Sequence, residues 1–249
     1  MLSIYKPIGI SCVDLIAQLK QQDQYKNVKM GFTGRLDEMA HGAMIILFGD
    51  ETKKTKQFHD LNKVYKFRFI VGLETDTTSV LGVFQNKIEY NELNIDKVCQ
   101  EILKFKKTQF MQEYHVYSSY CPKHPTLKKP LWWWILNNRL NEIEKIPEKS
   151  VNVYDVKINN IKNTSLDNFI KESLENLDKI KKGNLRQNDV IEQWKKYYDE
   201  KKEQNIQFTE FECEIHVSSG FYIRQFVKDI GKQLNLNVLV TEIERLSYF

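Results

Sequence analysis

The residues 31–42, Gly31-Phe32-Thr33-Gly34-Arg35-Leu36-Asp37-Glu38-Met39-Ala40-His41-Gly42, combine three glycines with little periodicity. That is the composition of a loop, and such a loop can hold Asp37 rigidly at the rim of a cleft. The chemistry open to it is that of one positioned carboxylate. The plainer reading is that Asp37 caps a turn, and the loop by itself leaves both open. Cys99, His115, Cys121 and His124 could be imagined as a zinc cluster, but their spacing matches no familiar site, so no metal is expected. No glycine-rich nucleotide-binding loop is present, and no cofactor is expected.

The elements around this loop must position it. Residues 2–5 predict a short strand ended by Pro7 and Gly9, and Ser11 with Asp14 predicts a capped helix with the stripe Leu15, Ile16, Leu19. The apolar run 44–48 predicts a buried strand after the loop, 50–61 a helix, and the alternation of Tyr65, Phe67, Phe69, Val71 and Leu73 a half-buried strand. Asn94 can cap a helix carrying Val98, Ile102, Leu103 and Phe105, while 114–129 reads as loop. Phe211, Cys213, Ile215 and Val217 alternate as a strand. After a turn at 218–220, Ile223, Val227, Ile230 and Leu234 form a helical stripe in which close packing would explain Gly231. Strands and helices without a βαβ rhythm favour an α+β fold. Residues 159–205 shift to Lys, Glu and Asn and read as a charged helical insertion on the surface. The adjacent Trp132, Trp133 and Trp134 read as packing residues rather than a stacking platform.

Four separated segments resemble the TruB family of tRNA pseudouridine synthases, in the family's own order. They are Lys6-Pro7-x-Gly9; the loop 31–42, similar to G-H-T-G-x-L-D-P-x-A-x-G; Lys63-Val64-Tyr65-Lys66 with Thr75-Asp76-Thr77; and Gly220-Phe221-Tyr222-Ile223-Arg224 with Asp229-Ile230-Gly231. Weaker echoes are Gly49-x-x-Thr52-Lys53, Tyr117-Ser118-Ser119 and Lys129-Pro130-Leu131. The resemblance runs from about residue 4 to the end, apart from the charged insertion, and closes on a segment similar to the family's L-x-R.

It implies one pseudouridine synthase-type α+β domain over 1–249, with a central mixed or antiparallel sheet flanked by helices and loops, and without the PUA domain of many relatives. Asp37 falls on the family's catalytic aspartate and Arg224 on the arginine that pairs with it. Tyr65 falls on the tyrosine that stacks on the flipped base and helps remove its C5 proton. In isolation Tyr65 is an inward strand residue, and Tyr222 and Ile243, which fall on the uracil pocket, would pass as core. Asp76 matches an aspartate near the site, or caps a turn. Lys6, Arg35, Lys53 and Lys54 could supply a basic rim for RNA. Phe32 stands where most members have histidine, and Glu38 where they have proline, which bears on substrate choice.

The implied function is conversion of uridine to pseudouridine at position 55 in the T arm of tRNA. The alternatives are a synthase acting on another stem-loop RNA, and a catalytically silent RNA-binding or RNA-folding protein on the same scaffold. A net charge of +4 and pI near 8.6 permit an RNA partner without demanding one. Four scattered cysteines and the lack of a span-length apolar run lead to the expectation of a soluble, intracellular, cytoplasmic monomer with no membrane partner.

Overall fold

The computed structural model describes residues 1–87, 93–180 and 186–249. Among these the chain forms β1 (Leu2–Lys6), α1 (Cys12–Leu19), β2 (Met30–Thr33), β3 (Ala40–Phe48), α2 (Thr55–His59) and β4 (Lys63–Val71). Next come β5 (Leu73–Thr75), β6 (Phe84–Lys87), α3 (Ile95–Leu103), β7 (Thr108–Glu113) and α4 (Leu131–Leu136). The chain then runs through β8 (Glu148–Ser165), α5 (Leu166–Asp178), α6 (Gln187–Lys201), β9 (Gln207–Val217), α7 (Ile223–Leu234) and β10 (Val238–Tyr248).

Eight of the described strands form one mixed sheet in the order β1-β3-β10-β4-β9-β8-β7, with β2 also on β3. Only the β3–β10 pairing is parallel. It brings the end of the Asp37 loop beside the last strand, Ala40 opposite Ile243. The period of two along β4 divides the core. Phe67, Phe69 and Val71 face α7 and α3, where Phe226, Val227, Ile230, Val98 and Ile102 bury their stripes, while Ile70 faces the other way with Leu239. On that second face Leu166, Phe169 and Ile170 of α5 and Val190, Trp194 and Tyr197 of α6 close a separate apolar cluster.

Local capping is where the sequence predicts it. Ser11 and Asp14 form a capping box on α1, and the Asn94 side chain accepts from Lys97 N at 2.9 Å at the start of α3. Gly231 is needed for close packing, since a Cβ there would lie 2.6 Å from Val238 Cγ2.

Three expectations need correction. The loop proper is 34–39, because β2 and β3 extend into both ends of 31–42 and pair with each other. The helix expected over 50–61 is a 3-10 turn (Gly49–Lys54) followed by the single turn of α2. The charged insertion begins as sheet, not helix: β8 continues to Ser165, pairing Ile161 with Phe211 and Thr164 with Phe208. Its helices are packed over the second core rather than solvated all round. Residues 181–185, part of that expected insertion, lie outside the described residues.

Candidate active site

The 34–39 loop is held from below by the N-terminal segment. Lys6 Nζ donates to Ala40 O at 2.7 Å and Pro7 O at 3.0 Å, Gly9 N to Glu38 O at 2.9 Å, and Leu36 N approaches Cys12 Sγ at 3.3 Å. Lys6 is 0% exposed, so it does not belong to an RNA rim as expected. A lysine in a strand that crosses under a loop has three donors to give to carbonyls, and two are used that way. Its burial pulls its pKa below the ordinary lysine value.

Above this support Asp37 Oδ2 meets Arg224 Nη2 at 2.6 Å. The arginine side chain is 10% exposed and the aspartate 47%, so a fixed cation carries a carboxylate that remains open to a ligand. Arg224 sits in the first turn of α7, and its other donors reach Thr77 O at 3.1 Å and Tyr117 O at 3.5 Å. Asp37 Oδ1 takes no hydrogen bond among the described residues. Glu38 next to it has its carboxyl pushed up, by burial first and by the Asp37 charge second.

Two cavities meet at this pair. One, of about 450 Å³, is lined by Asp37, Arg224, Tyr65, Tyr222 and Ile243, with Tyr114 and Tyr120 beside them. The other, of about 350 Å³, shares Asp37, Arg224 and Ile243 but is closed by Val80, Leu81, Trp132 and Leu136. The structure thus brings together Asp37, Tyr65, Tyr222, Arg224 and Ile243. Arg35, exposed, borders both cavities and holds its guanidinium 5.7 Å from the Phe32 ring centre.

Tyr222 is fixed through its backbone: its N–H donates to Gln112 Oε1 at 2.9 Å and its carbonyl accepts from Gln112 Nε2 at 3.1 Å. Its ring stands edge-on to Tyr114, and burial drives its hydroxyl pKa well above the ordinary tyrosine value.

Phe32 and Asp76 line neither cavity. Phe32, on β2, is half-buried against the main core. Asp76 lies behind Arg224: its Oδ2 accepts from Tyr117 Oη at 2.5 Å and Arg186 Nη1 at 2.8 Å, and its Oδ1 from Val83 N at 2.8 Å. Burial and the bond to Asp76 push the Tyr117 hydroxyl up to about 12, so it stays a donor at neutral pH.

Sequence reasoning passed over Arg186, Lys149 and Tyr120, and it read Trp132 as a packing residue, which its place at the cavity corrects. The three tryptophans separate on α4: Trp134 is 0% exposed and serves packing, while Trp132 is 40% exposed and edges the smaller cavity. Only the 100° step between neighbours on a helix could have separated them.

Residues 22–176, more than half of the chain, match the family model described as TruB family pseudouridylate synthase (N terminal domain). The tRNA pseudouridine synthase B of Aquifex aeolicus (strain VF5) is 30% identical over 245 residues, covering 98% of this chain and 67% of that protein. Its namesake in Staphylococcus saprophyticus is 24% identical over 246 residues, covering 98% and 65%. A chain of a solved Cbf5-Nop10-Gar1 complex shares the fold, with a TM-score of 0.54 at 14% identity over 99% of this chain and 48% of that one. The protein therefore spans about two thirds of the length of these two relatives and less than half of the solved chain. Together with the ordered motifs around Asp37 and Arg224, these matches establish that the chain belongs to the TruB family of pseudouridylate synthases.

Proposed function

We propose that the protein isomerises uridine to pseudouridine in RNA, with the uridine at position 55 in the T arm of tRNA as its target. The observation that carries this reading is the Asp37–Arg224 pair, 2.6 Å apart, on the wall of a cavity lined by Tyr65 and Tyr222. In the reaction the N1–C1′ bond breaks and a C5–C1′ bond forms. C5 loses a proton and N1 ends with one, so the atoms balance without a co-reactant. Such a base must leave its stack to be reached, and aromatic faces compensate for the lost stacking.

Arg224, tied to two carbonyls, holds one oxygen of Asp37 and leaves the other toward the reacting nucleotide. Tyr65 and Tyr222 take the faces of the base, Ile243 fills the space at its edge, and Tyr65 is assigned removal of the C5 proton. Every residue named lies in one chain, so a monomer suffices.

The test follows tritium released from C5-labelled uridine in a tRNA transcript, with Asp37→Asn beside the wild type. Stoichiometric release by the wild type alone, with the modified base mapped to the T arm, is the expected result. Tight tRNA binding without release would sink the reading, and release mapped elsewhere would reassign the target.

A further inference from the structure

The larger cavity carries more positive charge than the chemistry at Asp37 uses. Arg245 of β10, 1% exposed, lines it. Its Nε donates to Ala43 O at 2.7 Å and its guanidinium lies 4.8 Å from the Tyr248 ring centre, but Nη1 and Nη2 are buried without an acceptor. A desolvated cation with four idle N–H donors is costly, and a ring face offsets only part of that.

Two lysines stand at the same end of the cavity. Lys63 is buried, with its ammonium on His59 O at 2.8 Å and Leu61 O at 2.5 Å. Burial, then the charges of Arg245 and Lys149, bring its pKa down to about 8. Lys149 Nζ donates to Ser219 O at 2.8 Å. None of the three cations forms an ion pair among the described residues, and Asp60, whose charge is felt at Lys63, is engaged with His59 at 3.3 Å instead. Gly34, which opens the Asp37 loop with φ at +65°, brings bare backbone against the guanidinium. A Cβ there would lie 3.1 Å from Arg245 Nη1.

We propose that Arg245, Lys63 and Lys149 form an anion pocket for a phosphodiester of the RNA, the one adjoining the nucleotide held at Asp37. The inference rests on the RNA reading above and deepens it by assigning the strand a backbone contact. The three cations need a counter-charge the protein does not supply, and Lys149, half-exposed, can meet a non-bridging phosphate oxygen above the buried charges of Arg245 and Lys63. Base contacts at Asp37 and a phosphate contact at Lys149 would fix a single nucleotide from both ends, which is what positioning a reacting glycosidic bond demands.

The test measures binding, separately from turnover, with stem-loop RNAs that carry one neutral methylphosphonate linkage at a time. Wild type, Lys149→Gln and Arg245→Met are compared across a salt series. Next to the modified uridine, one neutral linkage should weaken wild-type binding about tenfold, the loss of one charge-assisted hydrogen bond, and should weaken Lys149→Gln hardly further. The slope of log K against log salt should be shallower by about 0.7 to 0.9 in each variant. Lys149→Gln, at a half-exposed position, keeps the test open if Arg245→Met does not fold.

Unchanged slopes, or losses that add at every linkage, overturn the assignment. Inorganic phosphate bound by the wild type and lost in Arg245→Met, with all linkages acting alike, would mark a free-anion site and overturn it too. If the wild type makes no pseudouridine, the function proposed above fails; pseudouridine made with unchanged slopes removes only the phosphate pocket.

Discussion

Asp37 is gripped through one oxygen, by an arginine that is itself anchored to two carbonyls. That geometry separates the roles of the two side chains. Asp37→Asn keeps the shape and loses the charge, so tritium release should vanish while RNA affinity holds. Arg224→Met leaves the carboxylate but frees its direction, and a misdirected group costs roughly 10²-fold in turnover. Single-turnover rates at saturating enzyme would read this, and a rate within threefold of wild type would remove Arg224 from the positioning role. Both residues were legible because they sit in local strings whose order could be matched. Lys6 sat in such a string too, yet its expected place on an RNA rim was wrong. Whether a lysine is under a loop or outside it depends on β1 pairing with β3, a partner 36 residues or more away in the register Lys6 to Gly42. Arg245 falls in the close similar to L-x-R, but that its guanidinium nitrogens lack acceptors depends on what β2, β3 and α2 leave around it.

At the scale of elements, helices with their own caps were the easiest to read, since Ser11 and Asn94 act within one turn of chain. β8 was the hardest. Its second half, rich in Asn and Lys, has little strand pattern of its own and is held by β9, so composition alone made it part of an insertion. A charged ladder crosses the same sheet. Arg68 of β4 reaches Glu210 of β9, Glu242 of β10 and Glu172 of α5, and Glu242 also accepts from His41 Nε2 at 3.0 Å. The His41 hydrogen bond, then Arg68, hold the Glu242 carboxyl at about 2 against an ordinary 4.5, in spite of its partial burial. A carboxyl depressed on folding stabilises the native state fully above its unfolded value and ceases to do so as pH falls through its folded value. Glu242→Gln should therefore lower stability near neutrality by about 3 kcal/mol, with the difference closing between pH 4.5 and about 2. Urea titrations followed by circular dichroism at several pH values would show it, and a pH-independent difference would assign the loss to packing instead.

Across the whole molecule, the helical pair α5 and α6 clasps the region around Asp37 rather than decorating it. Gly9, whose N–H supports the Asp37 loop, has φ at +97° and lies so close to the end of α5 that a Cβ would fall 2.2 Å from Lys179 O. From α6, Trp194 Nε1 donates to Val80 O at 2.8 Å, and Gln193 joins Gly82 O at 3.1 Å and Phe84 N at 2.9 Å, fixing the segment that walls the smaller cavity. Trp194→Ala should cost about 3–5 kcal/mol, on the order of 10 °C in Tm for a chain of this length, as differential scanning calorimetry would report. Such a loss would say little about chemistry, because it would loosen everything the indole touches. Arg186, at the start of α6, isolates the coupling better. It holds Asp76 at 2.8 Å, Asp76 holds the Tyr117 hydroxyl, and the Tyr117 carbonyl accepts from the arginine that carries Asp37. Arg186→Gln removes the charge from a partly exposed side chain but leaves a side-chain amide that can still donate to the buried Asp76 carboxylate, so Tm should move by no more than about 2 °C. The relay behind Arg224 would relax, and a coupling on the order of 0.5–2 kcal/mol corresponds to turnover slowed several-fold. Turnover and Tm that fall together would make Arg186 a stabilising contact only; slowed turnover at constant Tm would place the insertion in control of the Asp37 carboxylate.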